Sequence, residues 1–348
     1  SQPDSGFTLL GLDSLLTIEG KGEQRFNTIK SDFTKTLNQW YRADNEKLTS
    51  PIAFLAFAFD EHDPMDMYWQ SLPNTVLTIP RILIRENNSY QSLIINIKLD
   101  EASRHSSFSI IETLLQQFFS PSLKETDKTQ CLSASLTAAN DKQASSAYKS
   151  WQALAQDAIN QIQSGEFDKL VTSRHSNLQT SNEISIAKLV NKLEFYYPSC
   201  SILSYHTSEK TIVAASPERL LSLQQPEIKS NAIGGTISRR KHTNSNKLDP
   251  LPLFFKQSGE QTDKELAENN KLLKEHNFIS QSIYQSLDPL CHTLKMPISP
   301  FLMKLHNLYH LETPVQGKLM DNYDLFDCIN ALHPTPAVAG IPTQQAKQ

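Results

Sequence analysis

The chain has 348 residues, 39% of them hydrophobic and 20% charged, with a net charge of −4. That is enough for one large domain or two ordinary ones with a sizeable core. The lack of any basic block excludes a dedicated nucleic-acid binder, whose phosphate contacts need clustered Lys and Arg. The densest basic run, Arg239-Arg240-Lys241, reads as a solvated loop. Cys131, Cys200, Cys291 and Cys328 lie far apart and form no CxxC pair. Neither a zinc site nor a disulfide framework is therefore expected, and reduced thiols in a cytoplasmic protein are the simpler reading. No apolar run approaches the length of a membrane span. The opening Ser1-Gln2-Pro3-Asp4-Ser5 has neither an initiator Met nor a signal-peptide pattern, so the numbering is expected to begin inside, or after trimming of, a longer chain.

Residues 1–120 read as mixed α/β. Phe7 to Ile18 is largely apolar, and Phe26, Ile29, Phe33, Leu37 and Trp40 recur at helical spacing. Pro51 to Phe59 is a continuous apolar run of buried-strand type. Ile79 to Arg85 and Ser92 to Ile97 are expected as strands around the turn-forming Glu86-Asn87-Asn88-Ser89. Residues 121–147 are polar and mark a boundary between an N-terminal part, 1–147, and a second part, 148–348. A helix carrying Trp151, Leu154, Ala155, Ala158, Ile159 and Ile162 should stop at Gly165. Phe167 to Arg174 then reads as a strand and Ile184 to Phe195 as a helix. Short strands are expected at Ser201–Tyr205, Thr211–Ala215, Arg219–Leu223 and Ile228–Ile233. Asp263 to Leu287 has the pattern of a long amphipathic helix, and Tyr323 to Leu332 that of a short one. Runs of strands followed by helices predict an α+β fold with a large, mainly antiparallel sheet flanked by helices.

Several residues could carry chemistry. Lys169 sits in an otherwise apolar strand, where alternation would put it on one face with Val171 and Ser173. Taken alone it reads as a snorkelling edge lysine. Glu218 follows Ser216-Pro217, and the proline turn can lift it out of the sheet. Gly234-Gly235-Thr236 allows close backbone approach beside a hydroxyl, a combination suited to a carboxylate. Lys271 and Glu275 are four apart, the spacing of an ordinary surface ion pair on a helix. His310 precedes Leu311-Glu312-Thr313-Pro314. After the last helix, Leu332-His333-Pro334-Thr335-Pro336-Ala337-Val338-Ala339-Gly340-Ile341-Pro342 carries three prolines and a glycine. Proline removes a donor and fixes φ, so this must be a shaped loop.

In order along the chain, FDKLVTSR, SPERLL, AIGGTISR, KLLKEH, HLETPVQG and HPTPAVAGIP resemble the motifs of the chorismate-utilising enzymes. The last resembles the loop signature of the isochorismate synthases. The resemblance implies the chorismate-binding fold shared with anthranilate and aminodeoxychorismate synthases. It implies chorismate as substrate and Mg²⁺ as cofactor, with no nucleic-acid or membrane partner, in a monomer. The matching roles are Lys169 as the base that activates water, Glu218 as the general acid and Glu275 as a Mg²⁺ ligand. Gly235, Thr236, His310 and Leu332 would bind substrate. A base of this kind must lose its proton far below about pH 10.4, and the acid must keep its own near neutrality, so both need shifted affinities. Gly234 stands where relatives that add an amine through a covalent lysine carry that lysine. The implied reaction is conversion of chorismate to isochorismate, with salicylate synthesis as the alternative.

The family continues with a glycine-rich segment, a basic carboxylate ligand and a second Mg²⁺ glutamate. None of these is found here, and the ten glycines fall below the average usage of about 7%. The sequence is thus expected to be C-terminally incomplete, and a chain ending at Gln348 to turn over little. The loop from His242 to Gln261 is longer than the family pattern.

Overall fold

The computed structural model describes residues 1–41, 50–98, 104–119, 141–175, 180, 183–238, 270–306 and 308–347. The basic run 239–241, the loop 242–261, Cys131 and the start of the helix expected from 263 lie outside these residues. The chain divides into two compact units, Ser1–Ala134 with Asn182–Ile184, and Ser135–Ser181 with Ser185–Gln348.

The first unit holds β1 (Thr8–Gly20), α1 (Arg25–Asn38), β2 (Phe54–Phe57), β3 (Thr75–Glu86), β4 (Gln91–Ile95) and α2 (Arg104–Phe119). All pairings in its sheet are antiparallel, with β3 as the hub. β1 lines one edge of β3. β2 and β4 share the other, against 75–78 and 82–86 respectively. Pro80 lies in the interval between them, where one edge of the strand has no ladder to satisfy. Asn96 donates from its side chain to the Pro80 carbonyl at 2.7 Å. The run 51–59 is only half-buried at its strand, Phe54–Phe57, because β2 pairs with β3 alone. The turn between β3 and β4 is built by Asn87, whose side chain accepts from the amides of Ser89 and Tyr90. α1 buries Phe26 and Ile29, with Phe26 edge-on to Phe57 at 5.1 Å.

The second unit holds α3 (Asp141–Gln163), β5 (Lys169–Leu170), α4 (Ile186–Tyr196), β6 (Ser201–His206), β7 (Thr211–Ser216), β8 (Ser222–Gln224), β9 (Glu227–Ser238), α5 (Asn270–Leu287), β10 (Cys291–Lys295), β11 (Phe301–Lys304), β12 (Leu308–Leu319), α6 (Leu325–Leu332), β13 (Gly340–Ile341) and α7 (Thr343–Ala346). Its main sheet runs β10-β12-β9-β8, with β11 also on β12, and is antiparallel throughout. β6 and β7 form a hairpin, and β5 pairs with β13. α3 ends as expected: Gly165 takes φ +83° and its amide donates to the Ile162 carbonyl. α6 opens on a capping box between Asp324 and Asp327.

Three expectations need correction. The strand expected over 167–174 is only Lys169–Leu170. Its partner is bounded by Pro342 on one side and by a turn at Thr335–Ala339 on the other, so the ladder cannot extend. Consequently Lys169 is buried while Val171 and Ser173 are exposed, and no shared face exists. The strand expected from Arg219 begins only at Ser222, after the turn that Pro217 starts. The longest missed element is β12, whose Thr313-Pro314 looks like a breaker. Its two edge partners explain the tolerance: β11 covers 309–312 and β10 covers 316–319. Pro314 falls between them, as Pro80 does between β2 and β4.

The core of this unit lies where α5 and α6 cover β9 and β12. Ile228, Ala232, Val315 and Leu319 of the sheet meet Ile279, Ile283 and Leu287 of α5 and Cys328 and Leu332 of α6. Burial at 276, 279, 280, 283 and 287 is a single helical stripe. Each such Ile or Leu contributes about 1.5–3 kcal/mol. A Cβ at Gly317 would stand 2.2 Å from the Thr293 carbonyl oxygen, so β10 and β12 approach through this glycine. Gly317→Ala is expected to destabilise the protein by about 1–3 kcal/mol, seen as a lower urea midpoint by circular dichroism. An unchanged midpoint would refute this packing.

Candidate active site

Lys169 is 8% exposed, unusual for a lysine. The partnership of β5 and β13 puts it there. Ile341 lies opposite Lys169 and Gly340 opposite Leu170, and flanking amides of Asp168 and Val171 donate to Ile341 and Ala339 at 2.9 Å each. A Cβ on Gly340 would stand 2.4 Å from the Lys169 carbonyl, so only glycine allows this approach. The Lys169 ammonium donates to the Pro336 carbonyl. Burial lowers its proton affinity, while the charges of Glu275 and Glu218 work the other way.

Glu218 comes from the turn after β7, which is pinned at two points. The Ser216 hydroxyl donates to the Glu218 carbonyl at 3.1 Å, and the buried Ser230 hydroxyl to the Leu220 carbonyl at 2.6 Å. Burial raises the carboxyl to about 7, against the opposing pull of Lys169 and of a hydrogen bond from the Thr335 side chain. Desolvation outweighs ion pairing for both groups, and each is shifted toward its neutral form.

Glu275 sits on α5 four residues before Ile279, at the margin of the buried stripe, and is half-buried. The next residue, His276, is 3% exposed, and its Nε2 lies 2.7 Å from Thr313 Oγ1. Burial lowers this imidazole to about 4, so it is neutral and ties α5 to β12, setting the rotation that presents Glu275. Glu218 and Glu275, from two other segments, are thus near enough for their charges to act on Lys169.

The remaining expected site residues are placed differently. Thr236 and His310 face each other across β9 and β12, with Thr236 Oγ1 and His310 Nδ1 at 2.9 Å, and burial lowers the His310 imidazole. Gly235 is the bulge residue between them, with φ +61°. Its close approach is to α5: a Cβ there would stand 3.2 Å from the Leu272 carbonyl. Leu332 packs in the apolar core, 4% exposed, with Cys328 and Ile279. The residues of its loop that reach Glu218 and Lys169 are Thr335 and Pro336. Sequence reading singled out neither; the signal was a threonine between two prolines.

A carboxylate is the hard donor that Mg²⁺ takes, one or two from protein with water and substrate oxygens completing the shell. Glu275 fits that role as one ligand. Among the described residues no group of three His, Cys, Asp or Glu side chains could hold a metal by itself. No helix among them is long and apolar enough to cross a membrane.

The chain, over residues 1–348, matches the family of chorismate binding enzymes, and it belongs to that family. The isochorismate synthase MenF of Bacillus subtilis is 25% identical over 358 residues, covering 99% of this chain and 70% of that protein. The salicylate biosynthesis isochorismate synthase of Pseudomonas aeruginosa is 26% identical, covering 99% of this chain and 67% of that one. The solved structure of MenF, the menaquinone-specific isochorismate synthase of Escherichia coli, has a TM-score of 0.70 at 18% identity, over 100% of this chain and 70% of that chain. The last likeness is one of fold.

Because Glu218 binds its proton more tightly in the folded state, stability falls as pH rises from 4.5 through about 7. Glu218→Gln removes this cost. The variant is expected to match the wild type in the acid and to exceed it by up to about 3 kcal/mol above pH 8 in urea titrations. A difference that does not change with pH would refute the raised carboxyl.

Proposed function

We propose that this site converts chorismate to isochorismate. The observation that carries the reading is the buried Lys169, its proton affinity lowered, beside a Glu218 carboxyl raised to about 7. Lys169 as the free amine takes a proton from water as the water oxygen bonds to C2 of the ring. The ring double bond shifts, the C4–oxygen bond breaks, and Glu218 delivers its proton to the departing hydroxyl. One water enters and one leaves, so the product is an isomer, and a second proton exchange with solvent resets both groups. Thr236 and His310 are proposed to hold substrate oxygens. Glu275 would hold Mg²⁺, which supplies positive charge for the substrate carboxylate.

Position 234 argues against an aminating reaction through a covalent lysine. Glycine offers no nucleophile, and a Cβ there would stand 2.5 Å from Ile279 Cδ1, so a longer side chain would require the Ile279 side chain to turn aside. The names of the Bacillus and Pseudomonas relatives support the same product.

The test is turnover of chorismate by the full-length protein, with products separated by chromatography. Isochorismate is expected, and release of salicylate with pyruvate would overturn the assignment. Lys169→Ala and Glu218→Gln should each lower kcat/KM by about 10²–10⁴-fold. Chelation should abolish turnover and added Mg²⁺ restore it, with a higher Mg²⁺ requirement in Glu275→Gln.

A further inference from the structure

Lys169 and Glu218 are both in contact with the same dipeptide of the proline loop. The Pro336 carbonyl accepts from the Lys169 ammonium, and the adjacent Thr335 hydrogen-bonds Glu218 through its side chain. Thr335 is 4% exposed, so its hydroxyl must find a partner within the protein. Its carbonyl is already engaged, accepting from the amides of Val338 and Ala339 at 3.1 Å each. Pro334 and Pro336 on either side have no amide hydrogen. The bond to Glu218 is made by the Thr335 side chain, so the hydroxyl is its donor. The loop is held from its far end by the pairing of β13 with β5.

We propose that Thr335 is a positioning residue for the general acid, its buried hydroxyl orienting the Glu218 carboxyl toward the ring. The inference rests on the reading of Glu218 as the acid. Among the described residues the charged group facing Glu218 is Lys169 from β5, and Glu275 from α5 acts on Lys169 in turn. Lys169 and Thr335 both favour the ionised carboxyl, and burial opposes them. Without the hydroxyl the balance tips further toward burial, and the acid holds its proton to higher pH.

The experiment compares Thr335→Val, which keeps the shape and removes the donor, with Thr335→Ser, which keeps the donor. In full-length protein, Thr335→Val should move the alkaline limb of the pH–kcat/KM profile upward and lower kcat about tenfold, with KM within about twofold. Thr335→Ser should restore both. A ¹³C-carboxyl titration of glutamate-labelled protein reads the same upward shift without turnover, the Glu218 signal being assigned by its loss in Glu218→Gln. If Thr335→Val does not fold, Thr335→Ala is titrated in the same way. An unmoved limb and carboxyl signal in a folded variant without the hydroxyl would overturn the proposal, as would failure of serine to restore them. An active Glu218→Gln would instead overturn the reading of Glu218 on which it rests.

Discussion

The short antiparallel pairing of β5 with β13 is the constraint on which the site depends. It joins positions 169 and 341 through two-residue strands and a few backbone bonds, each worth about 0.5–1.5 kcal/mol net. What it accomplishes is out of proportion to its length. It removes Lys169 from water, lays the Pro336 carbonyl against the ammonium, and brings Thr335 to Glu218. Without it Lys169 would be an ordinary surface lysine, protonated throughout the physiological range. Gly340 allows the approach, and the prolines keep the loop from relaxing into helix or longer strand.

The electrostatics follow from that burial. A lysine between two carboxylates would, in water, hold its proton more firmly than usual. Here the order of effects is reversed, because taking the ammonium out of solvent costs more than Glu218 and Glu275 return. The same contest raises Glu218 despite the nearby cation. For two groups that would form an ion pair at a surface, burial shifts each toward its neutral form. The Thr335 side chain, hydrogen-bonded to Glu218, works with Lys169 against the displacement of Glu218.

The two units share one structural device. In each unit a long central strand carries a proline, Pro80 in β3 and Pro314 in β12. In each, the strand is paired on one edge by two short strands in succession, and the proline lies at the break between them. The break also has a use in β12, where Thr313, next to the proline, meets His276 and fixes the rotation of α5. Glu275 is therefore presented by a helix whose register is locked by a neutral, buried imidazole.

The sequence by itself determined the class of fold, most of the helices and the β3–β4 turn, and it singled out Lys169, Glu218 and Glu275 as candidates. These are legible because amphipathic spacing, Asn-rich turns and glycine stops act over a few residues, and because the ordered motifs resemble a known family. It did not reveal β12, whose proline is tolerated only because of how its neighbours end, nor the brevity of β5, whose partner lies far along the chain. It did not show that Leu332 belongs to the core, or that the close approach at Gly235 is to α5. Nor did it show that Thr335 and Pro336 are the loop residues in contact with Glu218 and Lys169. Tertiary structure decided these, because desolvation, proton affinity and strand pairing depend on what surrounds a residue in space. Lys169 and Glu218 take on their altered proton affinities only when the proline loop and the turn after β7 close over them.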